Sequence, residues 1–313
     1  MRCRKCGEKA VINMRQHKLA LCAEHFISWF QDHIARTIDR HKMFTSTNSL
    51  LLAVSGGKDS LVLWDVLAHF GFKVDGLYIH LGIDEDMFYS DRSLEKCVQF
   101  SDQNNLHLIQ VNVEEMYGLP IPEAASKSYR SKNRTCALCG LTKRHIFNKV
   151  AVTNNYDVLV TGHNLDDEAS VLFGNTTHWL GKYLARQSPV LDATSSGFPK
   201  KVKPLCRTYE RETTAYALLK GIDYYAQECP FSAGATTLSN KALLNDIEAE
   251  RPGFKQQFYL SFLKAKEEGL FDPSLSDRKT DIYSCKKCGQ PTSNTELCNF
   301  CRTWKNIMSS TGS

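Results

Sequence analysis

A glycine-rich turn that follows a fully apolar strand constrains this sequence more than any other feature. Residues 50–54 form a continuous apolar run, which is typical of a strand buried on both faces of a parallel sheet. Gly56 and Gly57 follow this run closely, and glycine permits backbone conformations that other residues avoid. Successive N–H groups of such a turn can point at a single anion. The sequence therefore predicts an anion site at the end of this strand.

A helix predicted over residues 61–70 begins at the same turn and strengthens this site. Asp59 and Ser60 open the helix, whose N-terminus carries a partial positive charge. Lys58 adds a full positive charge. The residue order differs from the Walker A pattern, which has a longer spacer before its Gly-Lys-Ser/Thr. The turn is therefore a phosphate-binding loop of another type.

The motif resembles the PP-loop of the ATP pyrophosphatase superfamily. Enzymes of this superfamily split ATP between its α and β phosphates, adenylate a substrate oxygen and release pyrophosphate. The resemblance implies that the loop binds the phosphates of ATP. Its residues are Ser55, Gly56, Gly57, Lys58, Asp59 and Ser60.

Further strands alternate with helical segments along the middle of the chain. Strands are predicted over residues 74–80, 106–113 and 157–161, and Gly162 opens an acidic turn after the last of them. This alternation predicts an α/β fold with a doubly wound parallel sheet, which binds ligands at the carboxyl ends of its strands. Because His80 ends the second strand, it is a candidate nucleotide-site residue, although a buried core histidine explains it equally well.

Composition narrows the class of protein. The chain has 313 residues and a formal net charge of +5, a modest basic excess that allows a nucleic-acid partner without requiring one. The N-terminus lacks the apolar core of a signal peptide, and no apolar run reaches the length of a membrane span. We therefore expect a cytoplasmic protein without a membrane partner. Its 12 cysteines then point to metal binding or catalysis rather than to disulfides.

Two sets of metal-ligating residues lie near the two ends of the chain. In each set, two soft ligands separated by two residues are followed by a second such pair, as in structural zinc sites. A redox CxxC motif would not occur twice with a second pair in register. We predict two zinc knuckles, in which the metal stabilises units too small to fold by apolar burial alone. Their ligands are Cys3, Cys6, Cys22 and His25, and Cys285, Cys288, Cys298 and Cys301.

Five cysteines remain outside these sets. Cys136 and Cys139 form a third close pair, and the lone Cys229 is its candidate partner. Three thiolates can form an open zinc site, hold a 4Fe-4S cluster with one free iron, or act as a disulfide or persulfide relay. Sequence spacing does not choose among these alternatives. Cys97 and Cys206 are interpreted as inert core residues.

The order of these features divides the chain into four parts. Residues 1–30 are predicted to form an N-terminal zinc finger, and residues 31–235 a PP-loop catalytic domain entered through a helix over residues 23–43. Residues 236–275 are predicted to form a helical extension, and residues 276–313 a C-terminal zinc finger. Within the extension, helices are predicted over residues 242–250 and 254–269.

The zinc knuckles, the PP-loop and the third cysteine pair together resemble the TtuA/TtcA family of tRNA 2-thiolation enzymes, and TtuA most closely. Residues 161–170, Thr-Gly-His-Asn-Leu-Asp-Asp-Glu-Ala-Ser, resemble the second nucleotide motif of that family. Cys229, followed by Pro-Phe-Ser, resembles its third-cysteine segment. The resemblance covers nearly the whole chain, from one knuckle to the other.

The resemblance implies that Cys136, Cys139 and Cys229 hold an oxygen-sensitive 4Fe-4S cluster. One iron would be free to bind sulfide, delivered by a sulfur carrier; in TtuA the carrier is a ubiquitin-like protein with a C-terminal thiocarboxylate, and inorganic sulfide is the alternative donor. It also implies catalytic roles for Lys143 and Asp167, and a homodimer.

The implied reaction is the ATP-dependent 2-thiolation of a tRNA uridine. The C2 oxygen of the base attacks the α-phosphorus of ATP, because this oxygen must become a better leaving group before sulfur replaces it. Lys58, the loop amides and Mg²⁺ would neutralise the departing pyrophosphate. Asp59 and Asp167 are candidate metal-facing or proton-handling carboxylates, and Gly162 and Asp166 are candidate nucleotide-site residues. Helix capping is the alternative role for the two aspartates of the second motif.

The expected target is the T-loop ribothymidine, the position associated with TtuA. The alternatives are a wobble-uridine or cytidine thiolase of the same group, and a PP-loop ligase that acts on a small acceptor. An RNA- or protein-binding module with a vestigial nucleotide site is a further alternative, and the intact PP-loop argues against it.

Basic residues in three segments are candidates for RNA contact. Solvated surface charge is the alternative interpretation for every one of them. The candidates are Arg15, His17 and Lys18, then Arg130, Lys132 and Arg134, and finally Lys200, Lys201 and Lys203.

Overall fold

The computed structural model describes residues 1–83, 88–128, 135–194, 197–271 and 281–309. The strands are β1 (Ile12–Met14), β2 (Leu19–Leu21), β3 (Leu50–Val54), β4 (Val74–His80), β5 (Leu108–Asn112), β6 (Val158–Thr161), β7 (Val190–Leu191), β8 (Lys200–Val202), β9 (Tyr283–Ser284) and β10 (Pro291–Thr292). The α-helices are α1 (Ala23–Arg40), α2 (Lys58–His69), α3 (Tyr89–Asn104), α4 (Val113–Tyr117), α5 (Ile121–Lys127), α6 (Thr135–Thr153), α7 (Leu165–Thr177), α8 (Gly181–Arg186), α9 (Glu210–Lys220), α10 (Thr236–Glu250), α11 (Phe254–Glu267) and α12 (Asn299–Ser309). One-turn 3-10 helices lie at Arg15–His17 and Pro230–Ser232. None of the helices in these ranges combines the length and the hydrophobicity needed to cross a membrane.

A six-stranded sheet in the order β5-β4-β3-β6-β8-β7 forms the centre of the protein. The pairings from β5 to β8 are parallel, and the edge strand β7 runs antiparallel to β8. The chain moves outward from β3 to β5 and then returns to the other side of β3 at β6, so the strand order reverses between β3 and β6. Ligands of doubly wound sheets bind at such a switch point. The predicted doubly wound parallel sheet is confirmed, with an antiparallel strand added at one edge.

Burial on both faces explains why β3 is apolar at every position. Leu50, Leu52 and Val54 pack into a core with α1, α2 and α9, whereas Leu51 packs into a second core with α5 and α6. Burying one such side chain fully stabilises the fold by about 1.5–3 kcal/mol. The strand that leads into the glycine turn is therefore held rigidly from both sides.

The two cysteine-rich units pack on opposite faces of this sheet. Met14 and Leu21 of the N-terminal unit join the core on the α1 side. Trp304 and Ile307 of α12 join the core on the α6 side. Helices α10 and α11 pack against α7, so the C-terminal helices lie beside the turn that follows β6.

The predicted strands are found, with boundaries that differ by at most two residues. The strand predicted over residues 106–113 spans Leu108–Asn112, and the position of its end has a local cause. The side-chain oxygen of Asn112 accepts hydrogen bonds from the N–H groups of Glu114 and Glu115 and so begins α4. A polar helix cap therefore ends this strand, although the apolar pattern continues for one more residue.

Candidate active site

The loop between β3 and α2 is shaped by its own hydroxyl groups. The Ser55 N–H donates to Ser60 Oγ at 3.1 Å, and the Ser60 hydroxyl donates to the Gly57 carbonyl at 2.9 Å. Helix α2 begins at Lys58, and its N-cap residue Gly57 has no side chain that could occupy the N–H groups of the first turn. These N–H groups can therefore bind an anion such as a phosphate.

Two glycines allow neighbouring backbone segments to approach this loop. Gly56 has a φ angle of 73°, and a Cβ atom there would lie 2.2 Å from the Ser93 carbonyl oxygen. A Cβ atom on Gly162 would lie 3.1 Å from the backbone nitrogen of Ser60. A larger residue at either position would displace the loop or the turn after β6, so the backbone path of the site depends on both glycines.

Two lysines and three carboxylates form a connected ion-pair network beside the loop. Lys58 Nζ lies 3.1 Å from Asp59 Oδ2 and 2.7 Å from Glu210 Oε1. Lys241 Nζ lies 2.6 Å from Asp167 Oδ1 and 3.2 Å from Glu210 Oε2. Because Glu210 contacts both lysines, it joins α2, α7, α9 and α10 at the switch point of the sheet.

This network sets the charge of its members. Burial raises the pKa of Asp59, and the charge of Lys58 offsets only part of this effect. Burial alone would raise the pKa of Glu210 as well. The hydrogen bond and charge of Lys58, together with the charge of Lys241, outweigh burial, so the pKa of Glu210 is lowered overall. Burial alone would lower the pKa of Lys241. The carboxylates of Asp167 and Glu210 outweigh burial, so the pKa of Lys241 is raised. The site thus presents two ammonium groups to an anion and, at Asp59, a carboxylate that a cation would stabilise.

Asp167 caps helix α7 and also contacts the ion-pair network. The Asn164 N–H donates to Asp167 Oδ2 at 3.0 Å, and the Asp167 N–H donates to Asn164 Oδ1 at 3.0 Å, which together form a capping box at the start of α7. The other oxygen, Asp167 Oδ1, contacts Lys241. Capping therefore orients this carboxylate toward the network.

The structure gives Asp166 and His80 protein partners of their own. Asp166 is buried, forms an ion pair with the buried Lys255, and accepts the Glu210 N–H at 2.8 Å. Because both carboxylate oxygens contact protein, these contacts support a positioning role for Asp166 at the start of α9. His80 lies at the carboxyl end of β4, with its Nε2 atom 3.0 Å from Asp91 Oδ1.

The third cysteine pair, at the start of α6, meets the segment around Cys229. The Cys136 thiol donates to the Phe231 carbonyl at 3.1 Å. Burial raises the pKa of Cys139, the charge of Lys143 lowers it, and the neighbouring thiols of Cys229 and Cys136 raise it. Cys136, Cys139 and Lys143 share one face of α6 by their spacing. The structure therefore brings the predicted thiols and the predicted lysine into one site.

The segment that leads to Cys229 joins this cysteine site to the PP-loop. The Tyr225 N–H donates to the Gly56 carbonyl at 2.8 Å. The Tyr225 ring packs edge-on against Tyr89, with centroids 5.5 Å apart. Burial raises the pKa of Tyr89 to about 12, and the nearby thiols of Cys229 and Cys139 contribute to this shift. Tyr89 thus contacts Tyr225 and lies close enough to Cys229 and Cys139 for their charge to affect its pKa. The PP-loop and the cysteine site therefore lie near the same edge of the sheet.

The spacing of these three thiols differs from that of the terminal tetrads. In the described ranges, three or more Cys, His, Asp or Glu ligand atoms lie within 4.8 Å of one another only in the two tetrads. Cys136, Cys139 and Cys229 are therefore spread more widely than ligands around a single ion.

The two tetrads bring the predicted zinc ligands together at each end of the chain. In the N-terminal tetrad, His25 Nδ1 lies 3.2 Å from Cys22 Sγ and 3.6 Å from Cys3 Sγ. In the C-terminal tetrad, the Cys298 N–H donates to Cys285 Sγ at 3.2 Å, a contact that stabilises a thiolate. The soft donors and their close grouping fit structural zinc.

Two of the candidates for RNA contact form ion pairs within the protein. His17 Nε2 lies 2.9 Å from the buried carboxylate of Glu212, and Lys203 Nζ lies 2.7 Å from the buried carboxylate of Glu168. These two side chains therefore serve the fold. Arg130, Lys132 and Arg134 lie outside the described residues.

Sequence reasoning missed three members of the site, namely Glu210, Thr213 and Lys241. The Thr213 hydroxyl donates a short hydrogen bond to Asp59 Oδ1. Glu210 and Thr213 lie 152 and 154 residues along the chain from their partners Lys58 and Asp59. In the local sequence, Glu210 is only an acidic residue at a helix start, which is common in structural helices, and Thr213 is only a polar residue in the first turn of the same helix. Only the folded arrangement identifies them.

Comparison with known protein families matches two parts of the chain. Residues 2–27 match the N-terminal LIM domain of 2-thiouridine synthetase TtuA. Residues 28–229 match the PP-loop domain. The second match alone spans more than half of the chain.

Relatives are similar over nearly the whole length. The tRNA-5-methyluridine(54) 2-sulfurtransferase of Thermus thermophilus is 45% identical over 97% of this chain and 91% of its own length. The enzyme of the same name from Pyrococcus horikoshii is 42% identical over 97% of this chain and 94% of its own length. Among solved structures, the U34-tRNA thiolase NcsA from Methanococcus maripaludis, which contains its 4Fe-4S cluster, has a TM-score of 0.78 over 98% of this chain and 96% of that chain. At 22% identity, this likeness establishes the fold.

Proposed function

This chain belongs to the PP-loop family that includes the tRNA-5-methyluridine(54) 2-sulfurtransferases, and we propose that it is an ATP-dependent tRNA uridine 2-thiolase. The observation that carries this proposal is the shared edge at which the PP-loop and the three-cysteine site meet. The hydrogen bond from the Tyr225 N–H to the Gly56 carbonyl ties the segment that leads to Cys229 to the PP-loop. A 2-thiolase needs both sites, because the base oxygen must be activated and sulfur must be delivered to the same carbon.

The first half-reaction turns the base oxygen into a leaving group. The C2 oxygen attacks the α-phosphorus of ATP, a P–O bond forms, the bond between the α and β phosphates breaks, and pyrophosphate departs. Lys58 and the N–H groups at the start of α2 are placed to stabilise the charge that builds on pyrophosphate. Lys58 Nζ lies 2.7 Å from the Glu210 carboxylate. When ATP binds, a phosphate oxygen would replace this carboxylate as the partner of Lys58.

Asp59 and Asp167 are the proposed ligands of Mg²⁺. Burial raises the pKa of Asp59, so a cation next to this group would favour its carboxylate form. Carboxylate and phosphate oxygens are the ligands that Mg²⁺ prefers. When bound, Mg²⁺ neutralises phosphate oxygens and orients the leaving group.

Cys136, Cys139 and Cys229 are the proposed ligands of a 4Fe-4S cluster. Held by these three thiolates, such a cluster would leave one iron open and so supply a site for the sulfur nucleophile. The positive charge of Lys143 favours the thiolate form of Cys139 against its burial. Lys143 is also proposed to stabilise the negative charge that develops on the activated base as sulfur adds to C2. The C2–O bond then breaks, and AMP leaves with the former base oxygen.

Uridine 54 is the proposed target. Two relatives named for this position are 45% and 42% identical to the chain, whereas the structurally similar U34 thiolase is 22% identical. Because target choice depends on many surface contacts, greater similarity over the full length favours position 54. Thiolation at the wobble uridine is the second candidate, supported by the shared fold.

Mass spectrometry of a thiolated tRNA tests this proposal. The anaerobically purified protein is incubated with ATP, sulfide and a tRNA that carries 5-methyluridine at position 54 and uridine at position 34, and the tRNA is then digested into fragments. We expect the mass increase of an oxygen-to-sulfur exchange in the fragment with position 54, and none in a control tRNA with cytidine there. Sulfur at position 34 would support the wobble alternative, and a lack of sulfur in every fragment would contradict thiolation.

Five further features complete the proposal. Each terminal tetrad is proposed to hold one Zn²⁺. The sulfur donor is proposed to be a ubiquitin-like carrier with a C-terminal thiocarboxylate, with inorganic sulfide as the alternative. The enzyme is proposed to act as a homodimer in the cytoplasm. The division into residues 1–30, 31–235, 236–275 and 276–313 also belongs to this proposal.

A further inference from the structure

The turn between α7 and α8, together with the first residues of α8, carries two exposed aromatic side chains. Trp179 is 77% exposed and Tyr183 is 65% exposed, and the exposed Leu180 lies between them in the sequence. All four tryptophans of the chain lie in the described ranges, and the other three are buried. A surface at which large apolar groups gather in this way commonly marks a binding site.

The backbone conformation of Trp179 is also unfavourable for this residue type. Its φ angle is 49°, in the left-handed region where a bulky residue is rare. The Trp179 N–H donates to the Thr176 carbonyl at 3.0 Å, and the Leu180 N–H donates to the Asn175 carbonyl at 2.9 Å. These two bonds form the Schellman motif that ends a helix, in which glycine usually occupies the left-handed position because it lacks a Cβ atom. A tryptophan there serves the end of α7 less well than glycine would, so the ring itself points to a role in binding.

Positive charge accompanies these rings. Lys182 and Arg186 on α8 are exposed and lie one helical turn apart, and neither forms an ion pair with a residue that the structure describes. Residues 169–191 contain no aspartate or glutamate. The Lys266 ammonium group donates to the Gln187 carbonyl at 3.0 Å and so places a further positive charge at the end of α8. The two rings with Lys182 and Arg186 form the α7–α8 patch, which can attract an anionic partner.

The charge of the α7–α8 patch favours RNA over a second copy of the chain as the partner. In a twofold dimer each surface contacts its own copy, so Lys182 and Arg186 of both copies would approach one another. No acidic residue of the same segment would offset this repulsion. RNA instead combines negative phosphates with flat bases that stack on aromatic side chains. The patch therefore matches both chemical features of an RNA strand.

We propose that the α7–α8 patch binds an unpaired nucleotide of the tRNA substrate away from the base that is modified. The base stacks on the exposed ring of Trp179, and flanking phosphates contact Lys182 and Arg186. The identity of the RNA rests on the proposed function. Thr177, the last residue of α7, lies roughly 15 Å along the helix from Asp167 in the candidate active site. Contacts at the patch therefore orient the tRNA without touching the reacting atoms.

The first experiment compares tRNA affinity with thermal stability in Trp179→Gly. We expect affinity for an unmodified tRNA transcript to fall roughly 5- to 100-fold, because a stacked base loses its platform. The thermal midpoint should stay within about 2 °C of that of the unaltered protein or rise, because glycine fits the left-handed position. Trp179→Phe keeps a ring and should keep affinity within about threefold. Asn105→Gly is the matched control, since Asn105 is also a left-handed residue at a helix end, and it should leave affinity unchanged.

Intrinsic fluorescence reports the stacking directly. Because Trp179 alone among the four tryptophans is exposed, a base that stacks on it should quench the fluorescence of the unaltered protein as tRNA is added. Trp179→Gly should lose this quenching. Quenching that persists in this variant would place the stacked base elsewhere and overturn the inference.

The second experiment removes the two cations of the patch. The double variant Lys182→Ala and Arg186→Ala should lower the slope of log K against log salt by about 1–2, because each lost phosphate contact releases fewer counterions. Trp179→Gly should leave this slope unchanged. Replacing Lys96 and Lys220, which pair with carboxylates, is the matched control and should change neither slope nor affinity.

The remaining outcomes separate the inference from its alternatives. Unchanged tRNA affinity in Trp179→Gly would overturn it and leave the proposed function standing. A change of oligomeric state in the same variant, measured by sedimentation without RNA, would show that the patch contacts a second copy and would also overturn it. Failure of the proposed function would be seen in the unaltered protein itself, which would then neither bind nor thiolate tRNA.

Discussion

Replacing Cys229 with alanine is expected to abolish sulfur transfer while leaving ATP activation intact. The three thiols of Cys136, Cys139 and Cys229 come from two distant segments that meet at one site, where the Cys136 thiol contacts the Phe231 carbonyl. Two remaining thiolates cannot hold a cluster of the proposed kind. We expect thiolation to fall by roughly 10³-fold or more. Pyrophosphate release stimulated by tRNA should stay within about threefold, because the PP-loop and its lysines are untouched.

Metal analysis and a second cysteine variant complete this test. The unaltered protein, purified without oxygen, should contain iron, sulfide and zinc, and Cys229→Ala should lose the iron and sulfide but keep the zinc. Cys206→Ala is the matched control, because Cys206 is fully buried in the core and burial raises its pKa to about 12. A Cys229 variant that retains iron and activity would refute the three-thiol site. A protein that contains zinc alone and still transfers sulfur would instead support the disulfide or persulfide relay.

The second large effect is expected at Lys58. Its ammonium group lies 2.7 Å from Glu210 and at the start of the helix whose N–H groups face the proposed phosphate site. Removal of such a cation should lower the rate of pyrophosphate release about 10²- to 10³-fold, since the charge of the leaving group then lacks its main protein partner. Lys58→Met tests this expectation in single-turnover assays with saturating ATP and tRNA.

Two comparisons separate catalysis by Lys58 from a structural role. Lys264→Met is the first comparison and also removes one lysine. Because Lys264 is exposed and pairs with Glu268, the Lys264→Met variant should be as active as the unaltered protein. Lys58→Met should keep its iron content, because the described ion pairs of Lys58 are with Asp59 and Glu210 and not with the cysteine site. A Lys58→Met variant with near-normal pyrophosphate release would show that the phosphates bind elsewhere.

The fold could be predicted from sequence where local patterns reflect burial. Residues 50–54 are apolar at every position because β3 is covered on both faces, and this pattern identified the strand and its position in a parallel sheet. The burial predicted for Cys97 and Cys206 is confirmed. The short strands β7 and β8 were not predicted, because two or three residues are too few for a periodic pattern.

The candidate site could be predicted only where its residues lie next to a recognisable turn. Lys58 and Asp59 belong to the glycine-rich loop, and Asp167 belongs to the turn after β6. Glu210 and Lys241 were missed, since a single charged residue on a helix surface looks the same whether it faces solvent or a distant loop. Their partners are determined by how α9 and α10 pack, and tertiary packing has no local signature.

Protein contacts also changed how some predicted residues are interpreted. Asp166 and Asp167 are adjacent and acidic, yet their carboxylates point to different partners. Asp166 pairs with the buried Lys255, whereas Asp167 contacts Lys241 in the ion-pair network. Adjacent residues on a helix face different directions, so a motif that contains both cannot assign the same role to each.

The central claim is that the base oxygen itself attacks ATP, and an isotope experiment tests it most directly. The protein is given ATP, sulfide and a tRNA whose residue 54 carries ¹⁸O at C2, and the AMP formed in a single turnover is analysed by mass spectrometry. If the oxygen is adenylated and then replaced by sulfur, every thiolated tRNA yields one AMP that contains ¹⁸O. Thiolated tRNA accompanied by unlabelled AMP would contradict this mechanism.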